Sequence, residues 1–381
     1  ADFGALAGGQ YSMVASSNQP VNIVASQRSS GPKTAGSYTG FDSSEASTDL
    51  YFPGLYKGYY TFNSELVIQN TGEIDADITI SFFQQRTGAS AGTPIIASVP
   101  KGASRVFSLQ DLATVPSGNT SGLLSAYVSS SQPLVGVGGI WSPRVKGLFS
   151  IYNAYAQGTT GTLFVPALYN RYYNFVSALT VQNIDDTDSA PIRVTYSNGR
   201  IREAVLSPNQ SVEYFQPNDS LLPSGNQNGV FSAKVESLSG VPIVAFVSIE
   251  DVSKGLLASY NGAMQPTTAV NCGLVYQNYF SWFSASTVQN VGTSPTDVTI
   301  SYSVGTPGQY DRTFTNIPPN GTINIIELGG AGSTLPNGTA ASATITSSGQ
   351  PIIAVTQLNN ESIYPSAPGD YLEAYTCTPV R

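Results

Sequence analysis

Along most of the chain, apolar and polar residues alternate with a period of two. Ile78-Thr79-Ile80-Ser81-Phe82, Ile192-Arg193-Val194-Thr195-Tyr196 and Val298-Thr299-Ile300-Ser301-Tyr302 each read as a half-buried strand rich in β-branched and aromatic residues. Gly, Pro, Asn-Gly and Ser clusters punctuate these runs, as at Asn198-Gly199, Pro319-Asn320-Gly321 and Pro336-Asn337-Gly338. No window of about 12 residues carries the 3.6-residue period of a helix. Val106, Leu109 and Leu112 come nearest, but Gly102 precedes them and Pro116 limits them to a turn or two. The pattern predicts an all-β chain.

The strand text repeats. Leu66-Val67-Ile68-Gln69-Asn70 matches Leu179-Thr180-Val181-Gln182-Asn183 and Ser286-Thr287-Val288-Gln289-Asn290. An aromatic stands upstream of each Asn (Phe62, Phe175, Trp282), with a Ser two residues after it (Ser64, Ser177, Ser284). The recurrent Asn is expected to end a strand and bond its own backbone to start a turn. A second half-motif recurs at Pro20, Pro133, Pro242 and Pro351, each opening an apolar strand. A Tyr-x-small signature follows each: Tyr38-Thr39-Gly40, Tyr152-Asn153-Ala154, Tyr260-Asn261-Gly262 and Tyr375-Thr376-Cys377. The spacing of roughly 110 residues exceeds that of solenoid repeats and suits immunoglobulin-like β-sandwiches.

Domains are therefore expected at 49–160, 161–270 and 271–381, with residues 1–48 holding only a second half-motif. The opposite phase, with the surplus half at the C-terminus, fits the same spacing. A lone hairpin is marginal in water and leaves open edges, so the surplus half must pair with something. It either folds back onto the first domain or adds to a neighbouring molecule by strand augmentation.

Composition removes several chemistries. Sixteen basic and 24 acidic residues give a net charge of −8, and histidine is absent. His-dependent nucleophilic sites and zinc sites, His switches and a basic nucleic-acid footprint all fall away. No metal and no cofactor is expected. No run of about 18 apolar residues predicts a membrane span. The chain opens at Ala1-Asp2-Phe3 without a Met or a signal-like stretch, which reads as a mature exported chain. Sequons at Asn119, Asn209, Asn218, Asn320, Asn337 and Asn360 are glycosylation candidates, although chance supplies several in so Asn- and Ser-rich a chain. Cys272 and Cys377 bracket the last period; a disulfide there implies an oxidising compartment, and two buried thiols are the alternative. Glu73-Ile74-Asp75-Ala76-Asp77 and Asp185-Asp186-Thr187-Asp188 read as solvated turns rather than calcium loops, and Glu250-Asp251 as surface. Tyr56, Tyr59, Tyr60, Tyr169, Tyr172, Tyr173, Tyr276 and Tyr279 recur near the start of each period, for domain-junction packing or for stacking on sugars.

The aromatic-x-Ser…Val-Gln-Asn text, with its Pro-bearing second half and Tyr-x-Gly, resembles tandem Ig-like repeats of secreted bacterial surface proteins, notably those of filamentous thermophiles. That resemblance spans nearly the whole chain and implies extracellular structural or adhesive work with no catalytic residues. The expected function is a non-enzymatic extracellular protein that assembles with copies of itself into a filament or surface layer through strand pairing of its N-terminal half-repeat. A cell-surface adhesin binding glycans is the alternative.

Overall fold

The computed structural model describes residues 11–29, 34–143, 147–251, 253–360 and 369–380; the opening Ala1-Asp2-Phe3 lies outside them. An N-terminal hairpin pairs β1 (Val24–Ser29) with β2 (Thr34–Thr39). The first sandwich holds β3 (Ser47–Tyr59), β4 (Phe62–Asn70), β5 (Ala76–Gln84), β6 (Ile95–Val99), β7 (Ser104–Ser108), β8 (Leu123–Ser142) and β9 (Leu148–Asn153). The second holds β10 (Thr162–Tyr172), β11 (Phe175–Asn183), β12 (Ala190–Tyr196), β13 (Ile201–Leu206), β14 (Ser211–Phe215), β15 (Val230–Ser237), β16 (Ile243–Asp251) and β17 (Leu256–Asn261). The third holds β18 (Ala269–Gln277), β19 (Trp282–Asn290), β20 (Thr296–Tyr302), β21 (Arg312–Ile317), β22 (Thr322–Ile326), β23 (Thr339–Ser347), β24 (Ile352–Asn360), β25 (Leu372–Thr376) and β26 (Thr378–Pro379).

All pairings between these strands are antiparallel, and the predicted all-β tandem sandwiches are what the chain forms. One sheet of each sandwich runs β6-β5-β8-β3, β13-β12-β15-β10 or β21-β20-β23-β18, and the facing sheet β7-β4-β8-β9, β14-β11-β16-β17 or β22-β19-β24-β25. In the first sandwich the 20-residue β8 passes through both sheets, pairing with β3 and β5 and then with β4 and β9. In the other two, the same path is cut into separate strands just before Pro242 and Pro351. The Val106–Leu112 candidate ends β7 and adds one 3-10 turn, Leu109–Asp111. Alternation fills the cores: Leu66 and Ile68 of β4, Ile78, Ile80 and Phe82 of β5, and Leu124, Ala126 and Val128 of β8 are all buried together. Each such large side chain contributes roughly 1.5–3 kcal/mol on burial.

The two half-motifs hold each other. The first strand of every sandwich carries a bulge, at Pro53-Gly54, Pro166-Ala167 and Gly273-Leu274. The motif tyrosine of the second half reaches it: Tyr152 Oη donates to Gly54 O at 2.8 Å, Tyr260 Oη to Ala167 O at 2.6 Å, and Tyr375 Oη to Leu274 O. Ser64, Ser177 and Ser284 accept from the backbone N–H of Tyr56, Tyr169 and Tyr276 at 3.0, 3.0 and 2.7 Å. Asn70, Asn183 and Asn290 are fully buried. Each clamps its turn, donating through Nδ2 to carbonyls such as Val99, Leu206 and Ile317 and accepting an N–H two residues on.

Candidate assembly site

The second half-motifs gather on one axis. Strands β2, β9, β17 and β25 pack side by side in a closed circuit, β2 against β9, β9 against β17, β17 against β25, and β25 back against β2. The residue after each motif tyrosine passes a side-chain hydrogen bond to the backbone of its neighbour. Asn153 Nδ2 donates to Thr39 O (2.8 Å), Asn261 Nδ2 to Asn153 O (2.7 Å), Thr376 Oγ1 to Asn261 O (2.9 Å) and Thr39 Oγ1 to Thr376 O (2.9 Å). Two positions earlier, Ser259 Oγ donates to Ile151 O and Ser37 Oγ to Ala374 O in the same sense. A recess of about 500 Å³ opens beside this ring. Elsewhere along the same strands the buried Asp370 carboxylate accepts from the N–H groups of Phe149 (2.8 Å), Leu257 (3.1 Å) and Leu372 (3.2 Å), which stand three residues before their motif tyrosines. Burial pushes its carboxyl well above the usual range, against the pull of those amides.

The N-terminal half-repeat thus takes the fourth place in the ring, docked on its own chain. Arg28 Nε lies 2.7 Å from Glu373 Oε1 and its guanidinium stacks 4.0 Å over the Trp282 ring. Ser26 Oγ donates to Glu373 Oε2 at 2.8 Å, Asn22 Nδ2 to Thr378 Oγ1 at 2.8 Å, and Ala35 is buried in the third core.

Neighbouring repeats share cores in a fixed sense of rotation. Phe246 of the second sandwich is buried in the first core, where a Cβ on Gly54 would stand 2.6 Å from its ring, so only glycine permits that approach. Val355, Leu372 and Ala374 of the third are buried in the second core. The recurrent tyrosines lie at these junctions. Tyr56, Tyr59 and Phe62 face Glu213, Phe215 and Glu250 across a recess of about 440 Å³, and Tyr169 Oη accepts from Gln357 Nε2. Burial raises the Tyr169 hydroxyl to about 12, tempered by Thr287 and Gln357, and raises the Glu213 carboxyl despite Arg86. The hairpin tips place Tyr60-Thr61, Tyr173-Asn174 and Phe280-Ser281 at positive φ. Asn119 Oδ1 and Asn226 Oδ1 brace two of them by accepting from Tyr60 N and Tyr173 N.

One quadrant is incomplete. In the finished repeats the edge equivalent to β1 is taken by β4, β11 or β19, and the motif proline carbonyl accepts from the residue after the buried Asn: Thr71 N to Pro133 O, Ile184 N to Pro242 O, Val291 N to Pro351 O. Among the described residues no strand pairs with the outer edge of β1. Ile23 O accepts Gly40 N from the β2 side, so by alternation the amides of Val24, Ser26 and Arg28 point outward. Tyr38 is half-buried, whereas Tyr152, Tyr260 and Tyr375 are at most 2 % exposed. The first sandwich shows the matching gap: Val67 and Gln69 of β4 are half-buried, while Thr180, Gln182, Thr287 and Gln289 at the same places are at most 1 % exposed.

Cys272 and Cys377 are disulfide-bonded, with Cα atoms 4.6 Å apart. Of the sequon residues, Asn119, Asn218 and Asn337 are exposed, Asn209 and Asn320 are half-buried at junctions, and Asn360 is buried with Nδ2 donating to Phe280 O. A glycan on Asn360 would have to displace that packing. Glu73 pairs with Lys101, and Asp185 Oδ1 accepts from Thr187 N and Asp188 N; among the described residues no acidic or Cys group could hold a metal. Of Glu250-Asp251, expected at the surface, Glu250 is half-buried and Asp251 is fully buried, accepting from Ser253 Oγ and Lys254 N and capping its own turn. No helix among the described residues is long and apolar enough to cross a membrane.

No family model and no curated protein matches the chain. Among solved structures, the chain is similar to Thermotoga maritima 1070 at TM-score 0.23 and 20 % identity, over 29 % of this chain and 93 % of that one. It is similar to the Anabaena sensory rhodopsin transducer at 0.20 and 19 %, over 24 % and 91 %, and to red sea bream transglutaminase at 0.13 and 12 %, over 58 % and 32 %. Scores this low say nothing of what the chain does.

Proposed function

We propose that the protein is a non-enzymatic extracellular structural subunit that assembles with copies of itself into a filament or layer by strand addition at its N-terminal half-repeat. The observation that supports this reading is the open outer edge of β1, a template that folded proteins ordinarily cover. A four-part ring joined by side-chain hydrogen bonds carries the hairpin, and the disulfide fits an oxidising setting. A Val24→Pro chain loses an outward amide without touching the β1–β2 ladder. It should stay monomeric in sedimentation velocity and negative stain where the wild type polymerises; a wild type that remains monomeric at every concentration would sink the proposal. The exposed rings of Tyr60, Tyr173 and Phe280 support the glycan-binding adhesin as a second reading.

A further inference from the structure

We infer that the open quadrant is a docking site for a first half-repeat from outside the described residues, which completes a fourth sandwich. The inference rests on the strand-pairing part of that reading alone, and takes as guest a first half-repeat rather than the β1 edge of a second copy. Three internal precedents define that guest. In each finished repeat the edge equivalent to β1 holds a nine-residue strand that begins with an aromatic, has Ser at its third place and ends in Gln-Asn: β4, β11 and β19. Their register is shared. Asn70, Asn183 and Asn290 lie opposite Leu134, Ile243 and Ile352, and Asn63, Val176 and Phe283 lie opposite Trp141, Glu250 and Asn359. Carried onto β1, the guest's Asn sits opposite Val21 and its second residue opposite Arg28.

Two further surfaces select a whole first half-repeat over any loose strand. Tyr38 lacks a bulged strand of its own repeat, where its three counterparts each donate to a bulge carbonyl. On the opposite wall, Trp141 of the first sandwich stands half-buried at the place of Glu250, which lines the recess holding the aromatic tip of the neighbouring repeat. A β1-to-β1 pairing of two copies would satisfy amides but leave both surfaces bare. The three first half-repeats among the described residues already lie inside sandwiches, so the guest is a further first half-repeat from outside them.

The probe is a synthetic peptide with the sequence of Thr162–Asn183, which carries the bulged strand, the aromatic tip and the edge strand of one first half-repeat, labelled and titrated onto the 381-residue chain. One-to-one saturable binding is expected, with amide exchange in Val24–Ser29 slowed about tenfold. Val24→Pro should weaken binding at least about tenfold by removing an edge donor. Val21→Asp, at a position 60 % exposed and outside both strands, should weaken it likewise without disturbing the hairpin. Equal binding of a scrambled peptide, or unchanged exchange in β1, overturns the inference. So does a concentration-dependent dimer that Val24→Pro abolishes but the peptide cannot displace. A chain that polymerises yet ignores the peptide overturns this guest and leaves assembly standing; one that binds the peptide but never polymerises does the reverse.

Discussion

Tyr260 and Tyr38 occupy the same place in the ring and live in different surroundings. Tyr260 is 1 % exposed and donates to a bulge in its own sandwich; Tyr38 is half-buried, its ring centroid 6.5 Å from that of Phe41. Both lie on β-strands that close the same circuit of side-chain-to-carbonyl bonds through Asn261 and Thr39. Closing the ring and finishing a sandwich are therefore separable tasks: a second half-motif suffices for the first, and only the facing half supplies the second. Truncation sharpens the contrast. Tyr260→Ala should cost about 3–5 kcal/mol, as large-to-small changes in a packed core do. Tyr38→Ala should cost about 1 kcal/mol or less, since its ring is only partly buried and reaches no bulge carbonyl. Urea midpoints at constant slope measure both. Equal losses would mean that the fourth repeat is as complete as the others.

The hairpin's hold on the third sandwich gives the next largest effect. Arg28→Ala removes the cation over Trp282 and leaves the buried Glu373 with hydroxyl partners only, Ser26 among them. Arg28 keeps 38 % of its side chain in solvent, so screening limits the loss to about 1–2 kcal/mol. The loss should be local: amide exchange in β1 and β2 quickens, while that of β4, β11 and β19 is unchanged. Uniform quickening would mean that the ring fails as one unit and that the hairpin is no separate body.

What could be read from the sequence divides along the same line. The Ser, Gln-Asn, Pro and Tyr marks repeat as identical letters, so alternation and spacing located the sandwiches and their strands. Their partners did not show, because Tyr152 and Gly54 are far apart in sequence and meet only across a finished sandwich. The ring was invisible for another reason: Thr39, Asn153, Asn261 and Thr376 perform one task with two residue types, alike only in carrying a side-chain donor. Asp251 misled because an acid that caps its own turn satisfies its charge locally and can be buried. The hairpin tips gave no turn signal, since their left-handed turns use Tyr-Thr, Tyr-Asn and Phe-Ser where Asn-Gly is the usual mark.

Asp370 offers the smallest and most specific test, because it bonds three of the four places in the ring and belongs to no repeated motif. Burial raises its carboxyl well above the usual range, and Glu373 beside it, itself raised mainly by burial and held down by Arg28, pushes the same way. A group that binds its proton more tightly when folded contributes fully below its unfolded value of about 4, and loses that contribution as pH climbs through the raised one. Asp219 and Asp185 carry the opposite sign, their carboxyls held below the usual range by backbone amides, and for Asp219 by Arg200 and Arg202. Asp370→Asn removes only the first contribution. From about pH 4 upward the wild type should therefore lose stability relative to the variant. Calorimetric melting of the two chains across that window decides it. If the wild type gains on Asp370→Asn as pH rises, the three amides outweigh burial, and the ring is built around an ion rather than a shared proton.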